Sequence, residues 1–234
     1  LNRRFNMNYT GGHIFPTSGC AGAVAHALRA VTKPGDRVLV QAPFFPEYIP
    51  YINDTGAHIE IIPARTKDFQ INFEALEEML QPGVAALLIN SPNNPSGVAY
   101  TEETLRKLSA LLARKSEELG YNLFLISDEP YREIAFSGRK IPYPARFYPH
   151  TLTCYSFSKS LSVPGERIGY VAVCPECEHA DDIVPMCGQI SRGIGHNCPS
   201  SLIQLAAAKA VDDTADLSVY ETNMELLYGT FRDL

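Results

Sequence analysis

The sequence lacks an excess of basic residues. Its 234 residues include 20 lysines and arginines against 26 aspartates and glutamates, which gives a formal net charge of −6. Nucleic acids and anionic membrane surfaces attract proteins through a cationic field, so neither is expected as the main partner of this chain. We therefore expect a function that involves small molecules.

The sequence also lacks a long apolar run and a dense cysteine framework. No run approaches the roughly 18 apolar residues of a membrane span, and the first residues do not have the pattern of a signal peptide. Six cysteines in a chain of 234 residues are too sparse for the disulfide framework of a small secreted domain. These features predict a cytoplasmic protein with reduced thiols and no membrane contact.

One pair of cysteines, Cys174 and Cys177, has the CxxC spacing of zinc and redox sites. Further cysteines and histidines follow, but the sequence has no second CxxC. Cys174 also closes an apolar run that has the pattern of a strand. We predict no metal site, and a metal or redox role for this pair is the alternative.

Helical and strand patterns alternate along the chain. Short apolar runs separated by helices are typical of a largely parallel sheet that is covered by helices on both faces. From Pro199 onward the pattern is helical, without a strand. The expected strands are 37–41, 58–62, 84–90, 122–127, 151–157 and 168–174, and the expected helices before Pro199 are 21–31, 73–80 and 101–119.

Polar segments follow three of the predicted strands. They are residues 90–97 (NSPNNPSG), 127–131 (SDEPY) and 156–159 (SFSK). Taken alone, each segment is also typical of a turn, a helix start or a solvated loop. Because ligands of parallel sheets bind beyond the carboxyl ends of the strands, we expect the three segments to form one binding site at one edge of the sheet.

Lys159 and its neighbours have the chemistry to hold an aldehyde-bearing phosphate. A lysine attacks carbonyl groups only when part of the population is unprotonated, and a partly buried site near a second cation, here Arg167, favours that form. The hydroxyls of Ser156 and Ser158 and the planar fork of Arg167 suit phosphate oxygens. Together these residues predict a phosphorylated aldehyde bound through an imine.

Six motifs in order resemble those of the class I and II aminotransferases, pyridoxal phosphate enzymes of fold type I, and in particular the aspartate aminotransferases. The resemblance covers nearly the whole chain. It implies a three-layer α/β/α fold with a mostly parallel mixed sheet, and pyridoxal 5'-phosphate as cofactor. The motifs are TSGCAGA (17–23), PFFPEY (43–48), NSPNNPSG (90–97), SDEPY (127–131), SFSK (156–159) and GERIGY (165–170).

The resemblance also implies an activity. The chain is expected to transfer an amino group between an L-amino acid, with an aspartate-like substrate favoured, and a 2-oxo acid. The full-length protein is expected to be a homodimer. Two alternatives remain open: a pyridoxal-phosphate-dependent carbon–sulfur lyase of the same fold, and a non-catalytic aminotransferase-like domain of a transcription regulator.

The same resemblance assigns catalytic roles to three residues. Lys159 corresponds to the lysine that binds the cofactor covalently and later moves the proton at the substrate's α-carbon. Asp128 corresponds to the carboxylate that keeps the pyridine nitrogen protonated, so that the ring accepts electrons. Tyr131, together with Asn94, is expected to hydrogen-bond the phenolic oxygen of the ring.

The phosphate is expected to bind between two parts of the chain. Gly19, Cys20 and Ala21 fall where the family presents a helix N-terminus to the phosphate. The family often has a hydroxyl residue at the position of Ala21, so one side-chain contact is expected to be missing. The side chains expected to complete the phosphate cup are Ser156, Ser158 and Arg167.

Two further assignments have alternatives. Phe45 is at the position whose ring stacks on the pyridine face, and the alternative is a core phenylalanine like Phe44. Arg192 resembles an arginine with which aspartate-specific members reach the neighbouring subunit's site and bind the substrate's side-chain carboxylate. The alternative for Arg192 is a solvated loop residue.

The resemblance divides the chain unequally. Residues 1–210 are expected to form the cofactor-binding large domain and residues 211–234 the start of the interdomain helix, with the C-terminal small domain absent. In the family, the arginine that binds the substrate's α-carboxylate lies in that small domain. We therefore expect the chain to bind the cofactor but to transfer amino groups poorly.

Overall fold

A computed structural model of the chain describes residues 1–136, 138–213 and 216–232. Its centre is a seven-stranded sheet in the order β1-β7-β6-β5-β4-β2-β3. Strands β2 to β6 pair in parallel, whereas β7 runs antiparallel to both β6 and β1. The strands are β1 Ile14–Ser18, β2 Arg37–Gln41, β3 His58–Ile62, β4 Val84–Asn90, β5 Phe124–Asp128, β6 Thr151–Ser156 and β7 Ile168–Val173.

All six predicted strands are present, three of them with the predicted bounds. The predicted start of β5, residue 122, is two residues too early. The Leu123 amide donates to Ser116 Oγ at 3.0 Å, so it is bound outside the sheet. Strand β1, an edge strand that contains Pro16, was not predicted. A proline has no amide to donate, so it is tolerated at an edge but weakens the strand signal of the sequence.

The helices include the three that the sequence predicts before Pro199. Among those it missed, α7 contains Pro185, which interrupts the helical pattern. Short 3-10 segments occupy Gly11–His13, Pro144–Arg146 and Pro164–Glu166. The helices of the described residues are α1 Asn2–Phe5, α2 Gly19–Val31, α3 Tyr48–Asn53, α4 Phe73–Met79, α5 Glu102–Leu119, α6 Phe157–Ser160, α7 Ala180–Gly193, α8 Ser201–Lys209 and α9 Ser218–Arg232.

Helices cover both faces of the sheet, because successive strand residues point to opposite sides. In β4, Leu88 packs in the core beneath α2, α3 and α7, whereas Leu87 packs in the core beneath α4 and α5. In β5, Ile126 and Leu125 divide between the same two cores. The predicted three-layer α/β/α fold with a mostly parallel mixed sheet is therefore confirmed.

The longest helix, α5, has a polar signal at each end. The Thr101 side chain accepts a hydrogen bond from the Thr104 amide at 3.1 Å, and Glu102 and Glu103 occupy the first turn, where the helix dipole favours negative charge. Gly120 ends the helix with a φ of 75°, a conformation that glycine adopts readily. The helix begins within one residue of the predicted position.

The end of the chain is helical in the described residues, as predicted. Helices α8 and α9 have no buried residues, and exposed apolar side chains such as Leu226 and Phe231 lie on α9. The expected interdomain helix over 211–234 overlaps α9, but residues 214, 215, 233 and 234 lie outside the described residues. Its interdomain role and the proposed domain division stay predictions.

No helix of the described residues is long and apolar enough to span a membrane.

Candidate active site

Three parallel strands end beside one another at the predicted edge of the sheet. Asn90 ends β4, Asp128 ends β5 and Ser156 ends β6. Asn90 is in register with Asp128, and Asp128 is in register with Cys154. A cavity of about 360 Å³ lies at these strand ends. The polar segments therefore share one edge of the sheet, as the sequence predicts.

Most of the predicted site residues line this cavity. Gly19 does not line it but lies against Arg167, which does. Arg192 is exposed in the last turn of α7 and does not line it. The lining residues that the sequence analysis named are Cys20, Ala21, Phe45, Asn94, Asp128, Tyr131, Ser156, Ser158, Lys159 and Arg167.

Asp128 is the buried acid of the cavity, with 7% of its surface exposed. Cys20 Sγ donates to its Oδ1 at 2.7 Å, and the Tyr48 hydroxyl donates to its Oδ2. Burial raises the pKa of Asp128 to about 6, although the hydrogen bonds from Cys20 and Tyr48 act in the opposite direction. Within the described residues, no lysine, arginine or histidine forms an ion pair with this carboxylate.

Tyr48 is a cavity residue for which the sequence predicted no role. Burial and the neighbouring Asp128 raise the pKa of the Tyr48 hydroxyl well above its ordinary value, so the hydroxyl stays protonated and donates. The sequence carried a signal for this residue, because Tyr48 lies in the PFFPEY motif. A tight turn, in which the Tyr48 amide donates to the Phe45 carbonyl at 3.0 Å, brings both side chains to the cavity.

A hydrogen-bonded chain connects β4, the loop after it and β5. Asn90 Nδ2 donates to the Asp128 carbonyl at 2.8 Å, and the Asn94 amide donates to Asn90 Oδ1 at 2.6 Å. Asn94 is also hydrogen-bonded to the Tyr131 side chain. Burial and the nearby Asp128 raise the pKa of Tyr131, and the bond to Asn94 opposes this rise. The two residues expected to share one oxygen of the ligand are thus in contact.

The start of α2 and the side chain of Arg167 form a positive corner of the cavity. Arg167 Nη2 donates to the Ser18 carbonyl at 3.3 Å, and its Nη1 donates to the Pro164 carbonyl at 3.2 Å. The Ser18 side chain does not cap α2, and the first turn contains no acidic residue. Free amides at a helix start, next to a guanidinium, have the chemistry of an anion site.

Two glycines, Gly19 and Gly169, allow the start of α2, Arg167 and β7 to pack closely at this corner. A Cβ at Gly19, where φ is 71°, would lie 2.7 Å from Arg167 Nη2. A Cβ at Gly169 would lie 2.4 Å from the Tyr155 carbonyl oxygen and 2.8 Å from the Gly19 carbonyl carbon. Side chains at either position would therefore separate β7, Arg167 and the start of α2.

Lys159 lies on α6, which follows β6 directly. It lines the cavity together with Ser156 and Ser158. The prediction that Lys159 is partly buried is wrong, because the residue is exposed. The other three residues of this four-residue helix occupy its buried side, which leaves the lysine facing solvent at the cavity. The amine is therefore accessible to a ligand.

Phe45 differs from the adjacent Phe44 in its surroundings. Phe45 is half-buried and lines the cavity, and its ring meets Tyr48 edge to face with centroids 5.8 Å apart. Phe44 is stacked with Tyr48 at 6.4 Å and does not line the cavity. The cavity side of Phe45 is thus available to a planar ligand, whereas Phe44 supports Tyr48.

The CxxC pair lies elsewhere. Cys174 Sγ donates to the Ala145 carbonyl at 3.7 Å, and Cys177 Sγ lies 3.8 Å from His150 Nδ1. All six cysteines are free. In the part of the chain that the structure describes, no three histidine, cysteine or acidic side chains gather in a group that could hold a metal ion.

Comparisons with known proteins agree on one family. A family profile described as "Aminotransferase class I and II" matches residues 6–229. The chain is 30% identical over 217 residues to a probable N-acetyl-LL-diaminopimelate aminotransferase of Bacillus subtilis, covering 92% of this chain and 52% of that protein. It is 34% identical over 196 residues to a probable aspartate/prephenate aminotransferase of Aquifex aeolicus, covering 81% of this chain and 47% of that protein.

A solved structure is also similar. An amino transferase from Eubacterium rectale superposes with a TM-score of 0.95 and 43% sequence identity, over 98% of this chain and 58% of that chain. The chain thus spans about half the length of the curated relatives named above.

Proposed function

Because the chain belongs to the class I and II aminotransferases, we propose that its cavity binds pyridoxal 5'-phosphate and that the whole protein transfers an amino group between an L-amino acid and a 2-oxo acid. One observation carries the proposal. Asp128, a buried carboxylate without a cationic partner in the described residues, lies in the same cavity as Lys159 and Arg167. A buried charge of this kind requires either a proton or a cationic ligand.

The cavity residues match the chemical groups of this cofactor. The protonated pyridine nitrogen would supply the cation that Asp128 lacks. The start of α2 and the Arg167 guanidinium would bind the phosphate, and Ser156 and Ser158 add hydroxyl donors. Phe45 would stack on the ring, a contact worth about 1 kcal/mol beyond the area it buries.

The residues around the ring then have distinct tasks. The bound cofactor supplies a ring that accepts the electron pair left when a proton departs from the substrate's α-carbon. Asp128 would hold the proton on the ring nitrogen, and Asn94 and Tyr131 would orient the ring by hydrogen bonds to its phenolic oxygen. Lys159 Nζ would attach the cofactor at its aldehyde carbon, with release of water, and the same amine would move the proton at the substrate's α-carbon.

The proposed substrate is aspartate-like. The relative from Aquifex aeolicus is named for aspartate and prephenate, and a 30% identical relative from Thermotoga maritima is named an aspartate aminotransferase. Arg192 is exposed and so is accessible to a neighbouring subunit of a homodimer, where we propose that it binds the substrate's side-chain carboxylate. The six free cysteines support a location in the cytoplasm.

We also propose that the 234-residue chain alone binds the cofactor but transfers amino groups slowly. The proposal is supported by the share of the relatives that the chain matches, which is 52% and 47% for the two curated proteins named above.

The first test is covalent trapping of the cofactor. The chain is mixed with pyridoxal 5'-phosphate and reduced with borohydride, and peptide mass spectrometry then locates the adduct. We expect the adduct on Lys159, and we expect Lys159→Ala to lose it while still binding the cofactor without a covalent bond. Lys67→Ala, which changes an exposed lysine that does not line the cavity, should trap as the wild type does.

Two results would contradict the proposal. An adduct that persists in Lys159→Ala would show that another lysine binds the cofactor. Release of pyruvate and ammonia from cysteine conjugates, without glutamate formation from aspartate and 2-oxoglutarate, would assign the fold to a carbon–sulfur lyase instead. Rapid glutamate formation by the chain alone would contradict only the proposal that it is slow.

A further inference from the structure

Asp128 receives one neutral donor on each oxygen. Cys20, in the first turn of α2, donates its Sγ proton to Oδ1 at 2.7 Å. Tyr48, the first residue of α3, donates its hydroxyl proton to Oδ2. The two donors come from different helices, and both line the cavity. They therefore fix the plane of the carboxylate.

Cys20 is a donor rather than a nucleophile. A helix N-terminus ordinarily favours the thiolate form of a cysteine. Here burial, followed by the charge of Asp128, raises the pKa of the Cys20 thiol well above its ordinary value. The thiol keeps its proton because a thiolate next to the carboxylate would place two negative charges in a buried site. The thiol can therefore donate a hydrogen bond to Asp128.

Two donors leave part of the carboxylate free. An ionised carboxylate has about four lone-pair sites, so Asp128 can accept a further donor from the cavity. Each donor to the charged form lowers the pKa of the acid, and the loss of a donor raises it. The titratable groups that act on Asp128 or are acted on by it are Cys20 of α2, Tyr48 and Tyr51 of α3, Cys154 of β6, and Glu129 and Tyr131 after β5.

We propose that Cys20 is a positioning residue of this site: by donating to Oδ1, its thiol keeps Asp128 ionised and aimed at the cationic ring nitrogen of the bound cofactor. The identity of that cation rests on the function proposed above. The contact between Cys20 and the carboxylate does not depend on it.

The experiment compares Cys20→Ala, which removes the donor, with Cys20→Ser, which keeps one of similar size. In the cofactor-free chain, the Asp128 carboxyl carbon is titrated by NMR and assigned from its loss in Asp128→Asn. We expect Cys20→Ala to raise the pKa of Asp128 above its wild-type value of about 6 and Cys20→Ser to hold it there or lower it. Cys198→Ser, at an exposed cysteine outside the cavity, should change nothing.

Cofactor affinity provides the second readout, measured from the absorbance of bound pyridoxal 5'-phosphate. We expect Cys20→Ala to weaken cofactor binding about tenfold, because a tenfold loss corresponds to one modest hydrogen bond to a charged group. Cys20→Ser should restore the wild-type affinity. The absorbance of the bound cofactor is also followed against pH. We expect the pH midpoint of its change to differ from the wild-type midpoint in Cys20→Ala and to match it in Cys20→Ser.

The outcomes separate the two proposals. An unchanged pKa of Asp128 in Cys20→Ala would overturn the role of Cys20. Equal losses of cofactor affinity in Cys20→Ala and Cys20→Ser would also overturn it, because they would indicate an effect on packing and not the loss of a donor. If the wild-type chain fails to trap the cofactor at Lys159, the proposed function fails. The titration of the cofactor-free chain still decides whether the thiol acts on Asp128.

Discussion

Two consecutive residues, Asp128 and Glu129, are buried carboxylates with opposite surroundings. Asp128 is 7% exposed and Glu129 is 1% exposed, and burial raises the pKa of both. Glu129 Oε2 pairs with Arg132 Nη1 at 2.8 Å, and neither residue lines the cavity. Asp128 has neutral donors and faces the cavity. The fold balances one of the two charges with a cation and leaves the other, with neutral donors only among the described residues, at the cavity.

The difference shows which feature of a buried acid indicates function. Burial and a raised pKa are common to both residues, so neither feature separates them. The two acids differ in their partners, because in the part of the chain that the structure describes only Glu129 is paired with a cation, Arg132. The Arg132 guanidinium is itself held in place, since it lies over the Tyr155 ring at 4.4 Å and contacts Glu133 at 3.3 Å. A buried acid with such a cation is part of the structure, whereas one without it, at a cavity, is a candidate for ligand binding.

The largest expected effect comes from removing the cation of the balanced pair. Arg132→Met preserves much of the side-chain volume but leaves Glu129 buried without its partner. We expect the free energy of unfolding to fall by about 3–5 kcal/mol at pH 7, as for other buried ion pairs that lose one member. Urea denaturation of the cofactor-free chain measures this change.

Two control variants test whether the loss of stability comes from the uncompensated charge of Glu129. Adding Glu129→Gln to Arg132→Met removes the uncompensated charge and should recover most of the loss. Arg65→Met breaks an exposed pair with Asp68 and should cost less than about 1 kcal/mol. If Arg132→Met is no more costly than Arg65→Met, Glu129 is not balanced by Arg132, and the contrast with Asp128 is lost.

The sequence predicts six of the seven strands and misses one strand at an edge of the sheet. Strands β2, β3 and β4 have the predicted bounds. Strands β2 and β4 are buried parallel strands with apolar runs that have clear ends, whereas β3 is a partly exposed edge strand that is rich in isoleucine. Strand β1 and helix α7 were missed for a local reason, since each contains a proline that interrupts its pattern. Tertiary contacts stabilise both elements, and such contacts are absent from a local window of sequence.

The candidate site was likewise predicted in its position but not in its individual contacts. The order of strand ends predicts that residues after β4, β5 and β6 meet, and ten of the twelve proposed site residues line one cavity. The contact between Cys20 and Asp128 joins positions 108 apart in sequence, and no local pattern specifies it. The exposure of Lys159 likewise depends on which side of the short helix α6 is buried. The order of the strand ends thus predicts which segments share the cavity, whereas the individual side-chain contacts depend on the fold.

The second prediction concerns the unbalanced acid. Because the folded-state pKa of Asp128, about 6, lies above its ordinary value of 3.8, the folded chain binds the proton more tightly, so stability falls as the pH rises from 3.8 through 6. Asp128→Asn removes this term. At pH 8, where Asp128 is ionised, we expect the cofactor-free variant to be more stable than the wild type by about 3 kcal/mol.

The same variant should lose cofactor affinity, so that stability and binding change in opposite directions. Glu129→Gln is the matched control, since it weakens the pair with Arg132 and should destabilise the chain at pH 8. Unfolding at pH 5 and pH 8 distinguishes the cases, with a smaller difference between the two pH values in Asp128→Asn than in the wild type. An Asp128→Asn chain that is less stable than the wild type at pH 8 would mean that this charge is balanced within the fold.

The smallest expected effect tests the neutral donors themselves. Tyr48→Phe removes the hydroxyl that donates to Asp128 Oδ2, so the free energy of unfolding at pH 8 should fall by about 1 kcal/mol and the pKa of Asp128 should rise above about 6. Tyr170→Phe removes the hydroxyl that accepts from Arg132 Nη2 at 3.3 Å. Since Arg132 keeps its bond to Glu129, this control should cost less and leave the Asp128 titration unchanged. Equal shifts of the Asp128 pKa in both variants would show that the two carboxylates titrate as one cluster, and the division between a balanced and an unbalanced acid would then be wrong.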